Sequence, residues 1–181
     1  VYHEYGQLMG QYDAVILSDY GKGVLHDVSV LIAAARAIGK PVLIDPKGAD
    51  FTRYEDATLL TPNRAELHEA IGGWSNEQNL TEKAQKLRED LGLDALLLTR
   101  SEEGMSLYRE NKIEHQATRA QEVYDVSGAG DTVIAAMGVC LAAGYDFADA
   151  MHIANSAAGV VVAKLGTAVC SFDELTQALK D

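Results

Sequence analysis

Cysteine is scarce in this chain. Only Cys140 and Cys170 occur among 181 residues, and their spacing fits no metal site. A reducing, cytoplasmic compartment is the simple reading. Basic charge is also short: 15 Lys and Arg stand against 27 Asp and Glu, a net charge of −12. Such a surface argues against nucleic acid or anionic lipid bound through a broad basic face. It leaves a small anionic ligand open, because a few local donors can hold a phosphate. No apolar run reaches the roughly 18 residues of a membrane-spanning helix. No signal-peptide pattern opens the chain; it starts on VYHEYGQLMGQYDAVILSD, which reads as the middle of a domain. The five histidines include no pair at the i, i+4 spacing of a metal site. GAGDTV misses the third glycine of a dinucleotide fingerprint, and YGKGV fits no P-loop frame.

What is present is an ordinary globular composition, 48% apolar, with 16 Gly and 3 Pro. The length suffices for one domain with a sizeable core. DAVILSD (13–19), PVLID (41–45), TLLT (58–61) and DALLLTR (94–100) read as short buried strands. Helical spacing links them: from Asp27 as a cap to about Gly39, from Asn63 to Ile71 with Gly72 and Gly73 after it, and from Leu80 to Leu91. Residues 104–108 and 112–116 read as an antiparallel pair turning near Glu110 and Asn111. Two or three helices follow, the last with a Ser171–Glu174 capping box. Alternating strands and helices predict an α/β fold, a mainly parallel sheet with helices on both faces. Ligands of such sheets sit outside the C-terminal strand ends, where Asp19, Asp45, Asn63 and Thr99 fall.

Four stretches can carry chemistry. In DVSGAGDT (125–132), Gly128 and Gly130 permit a tight turn whose amides, with the helix that follows, form an anion site. Asp131 in that first turn is either a partner of the helix dipole or a proton acceptor. In TPNRAE (61–66), Asn63 and Glu66 share a helix face. They are either a plain capping box or groups turned toward a metal–phosphate cluster, Glu66 acting through metal-bound water. LLLTRSEEGMSLY (96–108) is a strand and hairpin on its own terms. In ANSAAGVVVAKLGT (154–167), Ala154, Ala157, Ala158 and Gly159 allow close helix packing or the approach of a flat ligand. Cys140 reads as core, and Trp74 as packing or a pocket cover.

In this order, DVSGAGDT, TPNRAE, TRSEEGM and ANSAAGVVVAKLGT resemble the motifs of the ribokinase-like carbohydrate kinases. LSDYGKGVL, LIDPKGADFTRYEDATLLTPNRAE and EVYDVSGAGDTVIA are more narrowly similar to the branch that phosphorylates heptose 7-phosphate. The match extends through nearly the whole chain. The resemblance implies a ribokinase-like fold truncated on its N-terminal side, so residues 1–181 correspond to the C-terminal, nucleotide-binding portion of a kinase domain. It implies ATP and Mg²⁺, with a monovalent cation such as K⁺, and transfer of the γ-phosphoryl to a sugar phosphate in ADP-heptose and lipopolysaccharide synthesis. It implies Asp131 as base, with the amides of Gly128, Ala129 and Gly130 holding developing charge. Asn63 and Glu66 serve the Mg²⁺–phosphate side; Thr99, Arg100 and Gly104 line the nucleotide; Asn155 faces adenine. Asp125, with the Lys164–Thr167 loop, forms the monovalent-cation site. Asp45 and Lys47 lie near the phosphate side without an assigned role. The alternatives are another sugar kinase of the family, or a non-catalytic nucleotide-binding module. Such a chain would pair with itself or with an N-terminal segment.

Overall fold

The computed structural model describes residues 2–120 and 122–180. Its strands are the short apolar runs: β1 (Val15–Ser18), β2 (Val42–Asp45), β3 (Leu59–Leu60), β4 (Ala95–Thr99), β5 (Met105–Arg109) and β6 (Lys112–Gln116). They form one six-stranded sheet in chain order. The first four are parallel and the last two turn back antiparallel. Among the described residues the α-helices are α1 (Tyr2–Leu8), α2 (Val28–Ala37), α3 (Arg64–Ile71), α4 (Glu77–Asp90), α5 (Ala129–Ala142), α6 (Phe147–Val162) and α7 (Phe172–Ala178).

Successive strand side chains point to opposite faces, and both faces here are covered. Ile44, Leu60, Leu96 and Leu98 pack with Leu31 and Ile32 of α2, Leu67 of α3 and Leu80 of α4. Their alternates Leu43, Leu59, Ala95 and Leu97 pack with Val133 and Met137 of α5 and Met151 and Ala154 of α6. Cys140 belongs to this second core. The doubly covered, mostly parallel sheet is the fold class that the residue pattern predicts.

Two local readings are corrected. Asp27 stands at the start of α2, but its side chain makes no capping bond; its carboxylate lies 2.7 Å from His26 Nε2. Helix α4 begins at Glu77, earlier than its apolar spacing indicates, because Asn76 accepts from the Asn79 amide. Helix α1 carries no sequence signal; Tyr5 Oη donates to Leu31 O at 2.8 Å and ties it to α2. Trp74 packs edge-on against His68 and under Arg64. No helix among the described residues is long and apolar enough to cross a membrane.

Candidate active site

A cleft of about 670 Å³ opens at the C-terminal ends of the strands. One wall is the entrance to α3. Asn63 Oδ1 accepts from the Glu66 amide at 3.0 Å, and Glu66 Oε2 accepts from the Asn63 amide at 3.0 Å, a complete capping box. Both residues also line the cleft. The cap and the cleft wall are therefore one feature, and the two readings of TPNRAE do not compete. Thr99 at the end of β4 donates its amide to Pro62 O at 3.0 Å, which joins that strand to the same wall.

The opposite wall is the start of α5. Gly128 sits at φ +80°, a left-handed turn that favours glycine. Thr132 closes the first turn, its Oγ1 donating to Gly128 O at 2.8 Å. Gly128, Ala129, Gly130 and Asp131 all line the cleft, and Asp131 is exposed. The three amides expected to form the cradle are not equivalent. Ala129 N–H donates to Val126 O at 3.1 Å. Among the described residues the amides of Gly128, Gly130 and Asp131 have no intrachain acceptor, so those donors remain for an anion.

The far end is a slot of small and apolar residues, with Gly104, Ala120, Val123, Ala158, Gly159 and Val162 around it. Gly104 has φ +91°, and a Cβ there would lie 2.0 Å from Gln116 O, so only glycine fits. Asn155 is buried in α6 and donates through Nδ2 to Ala117 O at 2.8 Å. The small-residue stripe divides its work: Ala154 packs in the core, while Ala158 and Gly159 also face the slot.

Two expected site residues do not line this cleft. Arg100 is buried, 2.8 Å from Glu77, 2.5 Å from Glu103 and 3.1 Å from Ser106 Oγ. Its guanidinium locks the β4–β5 turn to α4. Asp125 lies outside the lining and bridges two segments instead. One oxygen accepts from the Ser127 amide at 2.9 Å and the other from Gly166 N at 3.2 Å. These bonds, led by Ser127, hold its carboxyl below the ordinary range.

Asp45, left without a role by the sequence, lines the cleft. Burial chiefly raises its pKa; the charges of Glu66 and Asp131 raise it further, against the Ser18 hydrogen bond and Lys47. Asp45 therefore senses two other carboxylates across the site. Yet among the described residues no three His, Cys, Asp or Glu side chains gather closely enough to hold a metal ion. This oxygen-donor set suits Mg²⁺ that keeps its waters and arrives on a ligand's phosphates.

Residues 11–174 match the pfkB family of carbohydrate kinases. The chain belongs to that family. It is 55% identical over 167 residues to the D-beta-D-heptose 7-phosphate kinase of Bordetella bronchiseptica, covering 92% of this chain and 53% of that protein. It is 57% identical to the bifunctional protein HldE of Shewanella amazonensis, covering 93% of this chain and 36% of that one. The chain thus spans about half the length of the first relative and about a third of the second. The ribokinase of Arabidopsis thaliana, solved with ribose and ATP, superposes with a TM-score of 0.86 at 22% identity, over 98% of this chain and 59% of that one. Phosphofructokinase-2 of Escherichia coli, solved with potassium, gives 0.82 at 19% identity, over 98% and 62%. Both establish the fold of this pfkB-family chain as ribokinase-like.

Proposed function

We propose that this chain is the nucleotide-binding and catalytic-base portion of a kinase acting on D-glycero-D-manno-heptose 7-phosphate. In the reaction the anomeric O–H gives its proton to Asp131. The anomeric oxygen bonds to the γ-phosphorus of ATP, and the bond to the β-phosphate oxygen breaks. The products are heptose 1,7-bisphosphate and ADP, the former a precursor for ADP-heptose and lipopolysaccharide core synthesis. The observation that carries this reading is one cleft in which Asp131 stands beside free helix-end amides and faces the Asn63–Glu66 wall. The names of relatives at 55% and 57% identity support heptose 7-phosphate as acceptor.

The chain's own groups do positional and electrostatic work, which is most of what phosphoryl transfer requires. The amides of Gly128, Gly130 and Asp131 meet charge on the moving phosphoryl group. Thr99 and Gly104 bound the nucleotide, and Asn155 holds the 117 region against the adenine end through Ala117 O. Bound Mg²⁺ supplies charge neutralisation of the phosphate oxygens. Glu66 and Asn63 would hold it through water. A monovalent cation such as K⁺ would sit by Asp125, where the α5 turn meets the loop after α6.

The test uses the protein as its gene encodes it, with ATP, Mg²⁺ and heptose 7-phosphate, following ADP. Asp131→Asn lowers kcat about 10²–10⁴-fold, the usual weight of a general base. Full rate in that variant removes Asp131 from the role. Turnover of ribose or fructose with heptose 7-phosphate ignored removes the heptose assignment.

A further inference from the structure

The cleft has a charge problem. Among the described residues its lining includes Asp45, Glu66, Glu102 and Asp131 and no Lys, Arg or His. A nucleoside triphosphate would enter a site already negative, on a chain of net charge −12. The cations nearby face elsewhere. Arg64 and Arg100 pair with Glu103 and Glu77. Arg119 lies 3.1 Å from His152, and Lys164 pairs with Glu174 at 2.6 Å. Lys47 differs. Its Nζ is 3.3 Å from Glu66 Oε1, an oxygen of the cleft wall, and its side chain is half exposed at 53%.

Lys47 is also held in an uncommon way. It stands in the loop after β2, and its position is set from below by buried groups. Tyr54 is fully buried and Asp19 is 6% exposed. Tyr54 Oη lies 2.8 Å from Asp19 Oδ2 and accepts from the Lys47 amide at 3.2 Å. A phenol has one proton, and the shorter contact to a carboxylate takes it. The oxygen is then left to receive Lys47 N–H, while Lys47 O stands 3.3 Å away. Asp19 is fixed in turn by the Gly21 amide at 2.8 Å and by Arg53 at 3.5 Å. Arg53 covers the Tyr54 ring and donates to Leu25 O. A loop whose backbone is pinned to a buried tyrosine holds its side chain base with little freedom.

We propose that Lys47 is the cation that meets the terminal phosphates of the nucleotide, and that Tyr54, fixed by Asp19, is its positioning residue. This rests on the kinase reading and names the source of positive charge within that site. On ligand entry the Lys47 ammonium exchanges or shares its Glu66 partner with phosphate oxygen, a charge-assisted contact.

The experiment again uses the protein as its gene encodes it. Binding of AMP-PNP with Mg²⁺, and of AMP, is measured for wild type, Lys47→Ala, Lys47→Arg, Tyr54→Phe and Lys47→Ala/Tyr54→Phe. Lys47→Ala weakens AMP-PNP about tenfold or more, the scale of one lost hydrogen bond to a charged group. AMP, which has no β- or γ-phosphate, binds as before. Lys47→Arg recovers part of the affinity. Tyr54→Phe weakens AMP-PNP less than Lys47→Ala, and adds nothing to the double variant. Unchanged AMP-PNP affinity in Lys47→Ala, or an equal loss for AMP, overturns the role of Lys47. An undiminished further loss from Tyr54→Phe in the Lys47→Ala background makes the tyrosine merely structural. These binding readouts need no acceptor sugar. A wrong acceptor therefore fails the turnover assay and leaves the Lys47 result standing.

Discussion

Asp45 carries the electrostatic tension of the site in a single side chain. Its pKa lies above the ordinary 3.8, first because it is partly buried and then because Glu66 and Asp131 are also negative. The folded chain therefore binds a proton there more readily than the unfolded chain does. Over the interval between the two pKa values the unfolded state holds fewer protons, so stability falls as pH rises through it. Asp45→Asn removes that dependence and still accepts from Ser18 Oγ, 3.1 Å from the carboxylate in the native chain. The variant melts higher than wild type at pH 7, and its advantage fades in acid below the ordinary aspartate value. Thermal melts across that range check it. A lower melting temperature at pH 7, or an advantage that is the same in acid, contradicts the account. Tyr54 tells the same story for a neutral group: burial leads in pushing its pKa up to about 12. That keeps the phenol protonated, as its bond to Asp19 requires.

At the scale of an element, α3 shows why a motif can be structural and functional together. Glu66 uses one oxygen for the Asn63 amide and offers the other to Lys47 and the cleft. Two substitutions separate these duties. Glu66→Gln keeps an oxygen for the cap, so its melting temperature stays near wild type, within about 0.5 kcal/mol of stability. Its apparent requirement for Mg²⁺ rises about 10–100-fold, as for other groups that orient a metal at one remove. Glu66→Ala shows the same metal effect and also loses about 0.5–2 kcal/mol with the cap. Magnesium titrations and melts of both variants decide it; an unchanged Mg²⁺ requirement in Glu66→Gln leaves Glu66 as a cap alone. The start of α3 and the buried strands were legible because they rest on local chemistry: Asn63 and Glu66 three residues apart, or the unbroken Leu96–Leu97–Leu98. Long-range polar pairing has no such signature. Asp19 and Tyr54 are 35 residues apart, and no spacing rule joins them. Arg100 sits inside a recognisable motif, yet Glu77, distant in sequence, claims its guanidinium. The turn that spends the Ala129 amide on Val126 O was equally hidden, since SGAG permits several hydrogen-bond patterns.

At the scale of the whole molecule, the cleft joins the two helix layers that the sheet keeps apart. The Asn63–Glu66 wall belongs to the layer of α2, α3 and α4, and the Gly128–Asp131 wall to the layer of α5 and α6. A ligand that touches both binds the folded chain and not the unfolded one. At a concentration 100 times its Kd it adds about 2.7 kcal/mol to stability. For a chain of this size about 1 kcal/mol moves the melting point about 2–4 °C, so AMP-PNP with Mg²⁺ at that level raises it by roughly 5–11 °C. The acidic lining makes that shift depend on the metal. With EDTA present, the triphosphate faces Asp45, Glu66, Glu102 and Asp131 with less neutralisation, and the same nucleotide concentration gives a smaller shift. Raising ionic strength screens the repulsion and narrows the difference between the two conditions. AMP, with fewer charges near those carboxylates, responds less to EDTA. A melt series with each nucleotide, with and without Mg²⁺, measures all of this. Equal shifts for AMP-PNP in Mg²⁺ and in EDTA would mean that the phosphates do not lie among these carboxylates.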